Sequence, residues 1–394
     1  MRITAPLLPS TRDTCEAEHD LPLLQPDEGS IVLFRPYVPE SAIRKVVETL
    51  RSRWVGQGPL VDEFERQFAS TLGLPYRPVA VGSGTDALHL AYILADVKPG
   101  DEVIVPVFSC VATAMPLLYQ GARIRFADVQ PETLNIDPNH VRTLVSERTK
   151  AIVCTHYGGL PCDMDELLDI SRALGVPCIE DASQAIGATY RGRPVGSLSN
   201  FTIFSFQAVK HITTGDGGML VAQRDPHVQQ ARRLRWFGID RVAKQDGRWG
   251  DDITEVGYKY QMTDVAAAMG IAALQELGSI IDRRRQLLAV YRNELRNASG
   301  IRLVGDGLTD REHSAWSCTV LAEKRSELRR KLRDHRIESN QVHFRNDRHP
   351  VFHGFGGTCP NMDQVEKYYL MLPLHLGMSE GDAGRVCSVI RSGW

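Results

Sequence analysis

The sequence of 394 residues has no strong charge bias, no long apolar run and no closely spaced pair of cysteines. Its formal net charge of −2 gives no bulk attraction for nucleic acid or for a membrane surface. No apolar run approaches the length that crosses a bilayer, and no signal peptide is apparent. The eight cysteines are scattered, without the spacing of a zinc site or a redox motif. This pattern predicts a cytoplasmic protein without a metal site.

Hydrophobic residues at 43% and charged residues at 24% indicate a globular chain that is long enough for two domains. Residues 1–30 are polar and aperiodic and are expected to form a loose arm. From about residue 40 to 255, apolar strand-like runs alternate with helical stretches, which predicts a mostly parallel sheet covered by helices. We expect a large domain over residues 31–262, and a linking helix with a small C-terminal domain over 263–394. The clearest strand candidates are residues 103–107, 151–155, 177–180, 201–206 and 219–222, and residues 264–297 read as a long helix or a bent pair.

One lysine, Lys210, stands between an apolar strand-like run and a glycine-rich turn. An amine at the end of a buried strand is costly to desolvate, so its pKa is expected to fall and to favour the neutral form. A neutral amine is what a Schiff base with an aldehyde cofactor requires. The alternative is a surface lysine at a strand end, which would be preferred if Lys210 were an isolated signal.

A short apolar strand leads into the sequence Gly-Ser-Gly-Thr at residues 82–85, and this loop opens a helix-forming segment. Glycines permit close approach of the backbone, and free N–H groups at a helix start favour an anion such as phosphate. The glycine spacing matches neither the dinucleotide fingerprint nor the nucleoside-triphosphate loop. The segment is therefore either a phosphate-binding loop or a plain strand-to-helix turn.

Two adjacent acids, Glu180 and Asp181, end another apolar strand-like run. In open parallel sheets ligands bind beyond the carboxyl ends of the strands, where a carboxylate could pair with the protonated nitrogen of a pyridoxal ring. Side chains alternate along a strand, so only one of the two acids can face such a site. The alternative is an aspartate that caps the following helix. In this order, the loop, the acid and the lysine predict a pyridoxal-phosphate enzyme.

The chain resembles the sugar aminotransferases of the DegT/DnrJ/EryC1/StrS family, which have the fold-type-I pyridoxal-phosphate architecture. The resemblance implies an α/β fold with a mostly parallel central sheet covered by helices and a smaller C-terminal α+β domain. It also implies a homodimer with shared active sites, because the block around residues 258–262 reaches the other subunit's site in that family. Ordered blocks along most of the chain carry it, namely residues 54–65, 82–88, 100–106, 120–128, 156–165, 180–184, 200–218 and 257–264.

The same resemblance implies a role for each cofactor-binding residue. Lys210 is implied to form the internal aldimine and then to move protons between the substrate and the cofactor. Asp181 would pair with the pyridine nitrogen, and Gln184 would lie near the phenolic oxygen of the ring. The residues that would hold the cofactor phosphate are Gly84, Thr85 and Ser205.

The chain departs from the family pattern at two positions near the cofactor. Many members read Asn-Tyr-Arg-Met where residues 259–262 read Lys-Tyr-Gln-Met, so Lys259 or Gln261 is expected to replace an asparagine that contacts the phosphate across the interface. Many members also place an aromatic ring at the position of Cys110. Phe108 is the candidate that would supply a ring there.

A loop at residues 343–350 is rich in histidine and arginine, which could bind phosphate or sugar hydroxyls or could simply form a polar loop. Family members use the equivalent region near the substrate, so His343 and Arg345 are predicted to bind it, together with Tyr258. The basic cluster at residues 232–235 is either a solvated helix face or a contact for a diphosphate. His156 either lines the cofactor pocket or packs in the core.

The sequence thus predicts a pyridoxal-phosphate aminotransferase whose cofactor passes through the pyridoxamine form. L-glutamate is the expected donor, and the acceptor is the C4 or C3 keto carbon of a nucleotide-linked keto-deoxysugar. One alternative is a pyridoxamine-dependent sugar dehydratase on the same fold, in which a histidine takes the place of the lysine. The other is a non-catalytic sugar-binding or regulatory homologue. The presence of Lys210, Asp181 and the phosphate loop favours the aminotransferase.

Overall fold

The computed structural model describes residues 24, 27 and 29–394, apart from 249 and 251. Its strands are paired in three sheets, of which the largest has seven strands. The strands in chain order are β1 (Val79–Val81), β2 (Glu102–Pro106), β3 (Arg123–Ala127), β4 (Thr149–Thr155), β5 (Cys178–Asp181), β6 (Thr189–Tyr190), β7 (Arg193–Pro194), β8 (Phe201–Ser205), β9 (Gly218–Ala222), β10 (Ile301–Leu303), β11 (Arg311–Glu312), β12 (Cys318–Ala322) and β13 (Tyr369–Leu372).

The central sheet has the strand order β1-β9-β8-β5-β4-β2-β3. The five strands from β8 to β3 run parallel, whereas β9 is antiparallel to both of its neighbours. Because β5 and β8 are adjacent and parallel, their carboxyl ends meet at one edge of the sheet. That edge is where open parallel sheets bind ligands. It brings Asp181, the last residue of β5, close to the segment that follows β8 and contains Lys210.

Helices cover both faces of the central sheet, which explains why most residues of its inner strands are buried. Phe201 and Ile203 of β8 belong to the core on one face, and Phe204 belongs to the core on the other. The helices in chain order are α1 (Glu40–Arg51), α2 (Pro59–Thr71), α3 (Gly84–Leu94), α4 (Met115–Tyr119), α5 (Pro138–Leu144), α6 (Met164–Leu174), α7 (Asp225–Leu234), α8 (Arg241–Gln245), α9 (Asp264–Leu274), α10 (Leu277–Leu295), α11 (Arg325–Asp334), α12 (Pro360–Val365) and α13 (Glu380–Arg391). Short 3₁₀ turns lie at Val111–Thr113, Tyr157–Gly159, Asn346–Arg348 and Pro350–Phe352.

The C-terminal part of the chain is a smaller α+β unit. Its antiparallel sheet has the order β10-β12-β13. Leu287 of α10, Leu328 of α11 and Val386 of α13 are buried in one apolar cluster with this sheet. The third sheet is a small ribbon in which β11 joins β6 and β7.

The predicted fold class is confirmed, and each of the five predicted strands coincides with a strand of the central sheet, with small differences at the ends. Residues 264–297 form the bent pair, since α9 and α10 meet at an angle of 62°. The predicted N-terminal arm falls mostly outside the described residues, and the domain limits remain a prediction. In the described part of the chain no single helix has the length and apolar character of a membrane span, and only the pair α9–α10 passes, by length and composition.

Candidate active site

Lys210 directs its amine at the indole of Trp316. The Nζ atom lies 4.5 Å from the ring centroid. The side chain is half-buried, and burial lowers the pKa of Lys210, against the opposite influence of the neighbouring Cys110 and Asp181. The direction is the one predicted for a lysine at the end of a buried strand. The neutral, nucleophilic form of the amine is therefore more populated here than on a surface lysine.

The Asp181 carboxylate is buried and held in one orientation by two donors. Thr113 Oγ1 donates to Asp181 Oδ2 at 2.6 Å, and the backbone N–H of Ser183 donates to Oδ1 at 3.1 Å. Thr113 is fixed in turn, because the Tyr92 hydroxyl donates to its carbonyl oxygen at 2.5 Å. Helix α3, through Tyr92, and the turn at Val111–Thr113 thus fix the orientation of the Asp181 carboxylate.

Glu180 lies on the opposite face of β5, as the alternation of strand side chains requires. Its carboxylate is bound by His156 Nε2 at 2.9 Å and by the Ser199 and Thr202 hydroxyls at 2.6 and 3.1 Å. All of these side chains are buried. Glu180 therefore belongs to an internal network, and Asp181 is the acid on the side of Lys210.

His156 lies in this network with both ring nitrogens engaged in hydrogen bonds. The backbone N–H of Cys162 donates to His156 Nδ1 at 3.1 Å, so Nε2 carries the proton that is donated to Glu180. The sulfur atoms of Cys154 and Cys162 and a nitrogen of His156 all lie within 4.8 Å of one another. Because both ring nitrogens already have partners, we propose no metal ion there, and we assign the cluster to the core.

The Gly-Ser-Gly-Thr segment forms the N-terminus of α3. Ser83 is the N-cap, and its hydroxyl accepts a hydrogen bond from the backbone N–H of Asp86 at 3.0 Å. A methyl group added to Gly84 would lie 3.0 Å from Ser205 Cβ and 3.5 Å from Ser183 Oγ. Any larger residue at position 84 would therefore crowd the Ser205 side chain.

Chemically this cradle suits a phosphate group. The first N–H groups of α3 point out of the helix and carry its positive dipole end, and hydroxyls surround them. Burial raises the pKa of Asp86 to about 6, which reduces the negative charge beside the loop. Gly84, Thr85 and Ser205, the three predicted phosphate-binding residues, all belong to this corner.

Gln184 and His343 connect the end of β5 to the C-terminal unit. The backbone N–H of Gly158 donates to Gln184 Oε1 at 2.7 Å, and Gln184 Nε2 donates to His343 Nε2 at 3.1 Å. Burial, together with the nearby Lys210 charge, lowers the pKa of His343 to about 3. The imidazole is therefore neutral, and its ring lies nearly parallel to Trp316 with centroids 6.4 Å apart.

Arg345, a predicted substrate-binding residue, is paired with carboxylates of its own chain. Arg345 is buried, and its guanidinium binds the carboxylates of Asp347 at 2.7 Å and Glu366 at 3.3 Å, as well as Asp363. Against the effect of burial, the carboxylates of Asp347 and Asp363 raise the pKa of Arg345 above its usual value. Its charge is thus compensated within the chain.

Phe108 is buried beside this ionic group, and its backbone is bridged to that of Arg345. Its ring packs against Tyr157 and Tyr369, with centroids 4.8 and 4.9 Å apart. Cys110, in contrast, is half-buried, and its interaction with Lys210 opposes the lowering of the lysine pKa by burial. The small thiol of Cys110 therefore lies near Lys210, whereas the Phe108 ring packs within the core.

The block at residues 258–262 is partly buried against its own chain, since Gln261 is bridged to Val81 of β1 and Met262 is buried. Tyr258 stacks on Tyr260 with centroids 4.9 Å apart, and exposed Lys259 lies over the Phe237 ring at 5.3 Å. Gln261 Oε1 is buried and has no hydrogen-bond partner among the described residues. The predicted role of this block concerns a second subunit, so it remains a prediction.

A separate cavity of about 430 Å³ opens beside α7, and none of the Lys210 neighbours described above lines it. Arg232 and Arg235 are tied to the buried carboxylate of Glu65, at 3.2 and 2.7 Å. The Nε atom of Arg232 and Oε1 of Gln57 are buried without a partner among the described residues. The walls are mainly basic and aromatic, with Trp54, Arg232, Arg233, Arg235, Trp236 and Arg241, and they also include Asp62 and Asp240.

The sequence did not reveal Thr113 or Trp316 as site residues. Thr113 had a usable signal, because it closely follows the carboxyl end of β2 at the same edge of the sheet as Asp181. Trp316 had none, since it lies far from Lys210 in sequence and no local pattern marks it.

Parallel strands that bring a lysine, a buried acid and a helix-start phosphate cradle to one edge define the class of fold-type-I pyridoxal-phosphate enzymes. Within that class, the chain belongs to the DegT/DnrJ/EryC1/StrS aminotransferase family, whose model matches residues 36–391. It is therefore a pyridoxal-phosphate-dependent sugar aminotransferase.

Two relatives and one solved structure illustrate the similarity. GDP-perosamine synthase of Caulobacter vibrioides is 35% identical, over 88% of this chain and 93% of that protein. The dTDP-4-dehydro-2,3,6-trideoxy-D-glucose 4-aminotransferase of Saccharopolyspora spinosa is 31% identical, over 90% and 94%. The crystal structure of the sugar aminotransferase CalS13 from Micromonospora echinospora has a TM-score of 0.88 and 34% identity, and covers 92% of this chain and 100% of that one.

Proposed function

We propose that this chain transfers an amino group from L-glutamate to the C4 or C3 keto carbon of a nucleotide-linked keto-deoxysugar. The proposal is carried by the convergence of Lys210, Asp181 and Gly84 at the carboxyl edge of the central sheet. The names of the two relatives support a GDP- or dTDP-linked sugar as the acceptor. The second of these names also supports C4 as the aminated position.

The residues of this edge fit pyridoxal phosphate. When bound, this cofactor supplies an electron sink for negative charge that develops on a substrate carbon. Lys210 Nζ would bind the cofactor aldehyde. In its free form the amine would take a proton from the donor carbon and deliver it to the cofactor carbon. Asp181 would pair with the pyridine nitrogen, and Gln184 would lie near the phenolic oxygen. The cradle of Gly84, Thr85 and Ser205 would hold the phosphate.

The substrate diphosphate needs cationic partners, and the cavity beside α7 is a better candidate than Arg345, because its Arg232 and Arg235 share the single buried carboxylate of Glu65. The guanidinium of Arg345 is already compensated by three carboxylates. The cavity is fastened to the 258–262 block, because Trp236 is bridged to Lys259 and the backbone N–H of Tyr258 donates to the Leu234 carbonyl at 2.6 Å. In a homodimer with shared sites, the cavity and this block would face the partner's cofactor together.

A homodimer is also supported by an apolar stripe on α1. Ile43, Val47 and Leu50 recur at helical spacing and remain 51%, 41% and 55% exposed in the single chain. We expect light scattering to give a dimer for the purified protein. Leu50→Glu should shift it towards monomer, whereas Val351→Glu, at a valine that is 50% exposed outside the stripe, should not. A monomeric wild-type protein would contradict this part of the proposal.

The test of the function is an amino-transfer assay with isotopically labelled L-glutamate. The protein is supplied with pyridoxal phosphate and with GDP- or dTDP-linked 4-keto-6-deoxy sugars or 3-keto sugars, and products are read by mass spectrometry. We expect labelled nitrogen on the sugar, no product with Lys210→Ala, and normal product with Lys150→Ala, in which a lysine paired with Asp96 is lost. Loss of a sugar hydroxyl without nitrogen transfer would identify the dehydratase instead. Absence of any reaction would overturn the proposed substrate class.

A further inference from the structure

We propose that Trp316 is a positioning residue that holds the free amine of Lys210 on its indole face whenever the lysine is not bonded to the cofactor. The inference deepens the proposed function, because it rests on the assignment of Lys210 to the cofactor. The contact between the amine and the indole is itself a property of the chain.

The geometry is that of a cation resting on an aromatic face. Lys210 Nζ lies 4.5 Å from the ring centroid, inside the distance of about 6 Å over which a cation is attracted by a ring. Trp316 is only 2% exposed, so water competes weakly for the same face. Among aromatic side chains, indole gives the strongest attraction for an ammonium group.

The indole is fixed so that it cannot turn away from the lysine. Its Nε1–H donates to the carbonyl of Val209, the residue before Lys210, at 3.0 Å. The carbonyl of Trp316 accepts from Arg284 Nη1 at 3.2 Å, and Phe34 stacks on the ring with centroids 5.6 Å apart. The indole ring and the backbone that carries Lys210 are therefore held in a fixed position relative to each other.

This arrangement suits an amine that must alternate between two states. A lysine that moves protons needs both its neutral and its charged form within reach at the working pH. Burial favours the neutral form of Lys210, whereas the indole face favours the ammonium. Trp316 thus keeps the proton-carrying form accessible and keeps the released amine at the site.

The competing explanation is that Trp316 only packs in the core. It does belong to a small apolar cluster with Leu33 and Met371. Phe34 packs against the same cluster and has no contact with Lys210 among those described. Phe34→Leu is therefore a matched control, because it loosens the packing of Trp316 without removing the face that meets the amine.

The test is the acylation rate of the Lys210 amine in full-length, cofactor-free protein, measured by mass spectrometry after brief treatment with acetic anhydride across a pH series. We expect the midpoint of this profile to fall by about half a unit to one unit in Trp316→Leu, because the attraction for the ammonium is lost. Trp316→Phe, which keeps a weaker ring face, should shift less in the same direction. Phe34→Leu should leave the midpoint unchanged.

Equal midpoints in the wild type and in Trp316→Leu would overturn the proposal. So would an equal shift in Phe34→Leu, since loosened packing would then explain the effect. If Trp316→Leu does not fold, Trp316→Phe decides by the same comparison, and an unchanged midpoint in that variant contradicts the proposal. The acylation measurement needs neither cofactor nor sugar. Its result can therefore be interpreted even if the amino-transfer assay fails.

Discussion

Thr113 Oγ1 donates a hydrogen bond of 2.6 Å to Asp181 Oδ2, and both side chains are buried at the carboxyl edge of the central sheet. The hydroxyl comes from the turn after β2 and the carboxylate from the end of β5. The bond therefore joins two separate βα units and aims the acid at the side of the sheet that carries Lys210. Glu180, its neighbour in sequence, has no part in this arrangement.

Asp181→Asn should abolish most of the activity without unfolding the protein. The amide keeps the shape of the side chain, since its oxygen can accept from the Ser183 N–H and its NH2 can donate to the Thr113 hydroxyl. The charge that would pair with the pyridine nitrogen is lost. We expect kcat to fall by about 10²–10³-fold, the size of losing one preorganised electrostatic partner. The rate is measured with L-glutamate and a keto sugar at saturating cofactor.

Glu180→Gln is the matched control for that variant. It should keep a rate near that of the wild type but lower the free energy of unfolding by about 1–3 kcal/mol, because buried partners lose a charged acceptor. Urea unfolding measures this loss. Equal losses of rate in Asp181→Asn and Glu180→Gln would mean that the two carboxylates do not lie on opposite faces of β5.

Thr113→Val should lower the rate without a large loss of stability. The substitution keeps the volume and removes the donor to Asp181, so the carboxylate is less well oriented. Losing a hydrogen-bond donor that orients an active-site group lowers the activity by about 10-fold. Thr319→Val removes a buried hydroxyl that meets Tyr157 at 3.1 Å, and it should leave kcat unchanged. An unaffected rate in Thr113→Val would show that the bond does not orient the acid.

Arg345→Met should destabilise the fold strongly. The buried guanidinium compensates Asp347, Asp363 and Glu366, and its loss leaves these carboxylates facing one another. Breaking the buried pair with Asp347 costs about 3–5 kcal/mol, whereas the pair with Asp363, whose side chain is 58% exposed, is worth about 0–1 kcal/mol. Arg348→Met, at a side chain that is 62% exposed, is the control. A stable Arg345→Met protein with a raised KM for the sugar would instead support the substrate role.

The free energy of unfolding should decrease in mild acid. Burial lowers the pKa of His89 and His375 to about 4 and that of His313 and His343 to about 3. These values lie below the unfolded value of about 6.5, so the stability is retained above that pH and is lost as the pH falls towards 3. Asp86, with its raised pKa, acts in the opposite direction, because its contribution is lost as the pH rises through about 6.

Urea unfolding from pH 7.5 to pH 4 measures this dependence. His89→Gln should flatten the slope by up to one proton, or about 1.4 kcal/mol per pH unit. A stability that stays constant over this range would contradict the assignment of these histidines as neutral groups in the fold.

The fold and the centre of the site could be predicted because their signals are local. Apolar runs that end in acids or in a lysine define strands, and parallel topology places the carboxyl ends of such strands at one edge. That rule predicts one of the two acids Glu180 and Asp181 near Lys210, and the resemblance to the family implies that it is Asp181. Gly84 was recognisable because it belongs to a small-residue loop that follows an apolar strand and opens a helix.

The remaining parts of the site depend on contacts between distant segments. Arg345 and the carboxylates of Asp363 and Glu366 are all visible in the sequence, but their pairing exists only once α12 is folded against the 343–350 loop. Trp316 meets Lys210 only because the C-terminal unit docks on the central sheet. Nothing in the local sequence of either residue carries this information.

The most direct test of the account is the absorption spectrum of the purified protein with pyridoxal phosphate, recorded before and after addition of L-glutamate. We predict a yellow protein that bleaches with glutamate, and a Lys210→Ala variant that never forms the same yellow species. This result would establish the cofactor, its bond to the lysine and the first half of the amino transfer together. A protein that stays colourless with the cofactor would contradict the central claim, and a yellow protein indifferent to glutamate would reject glutamate as the donor.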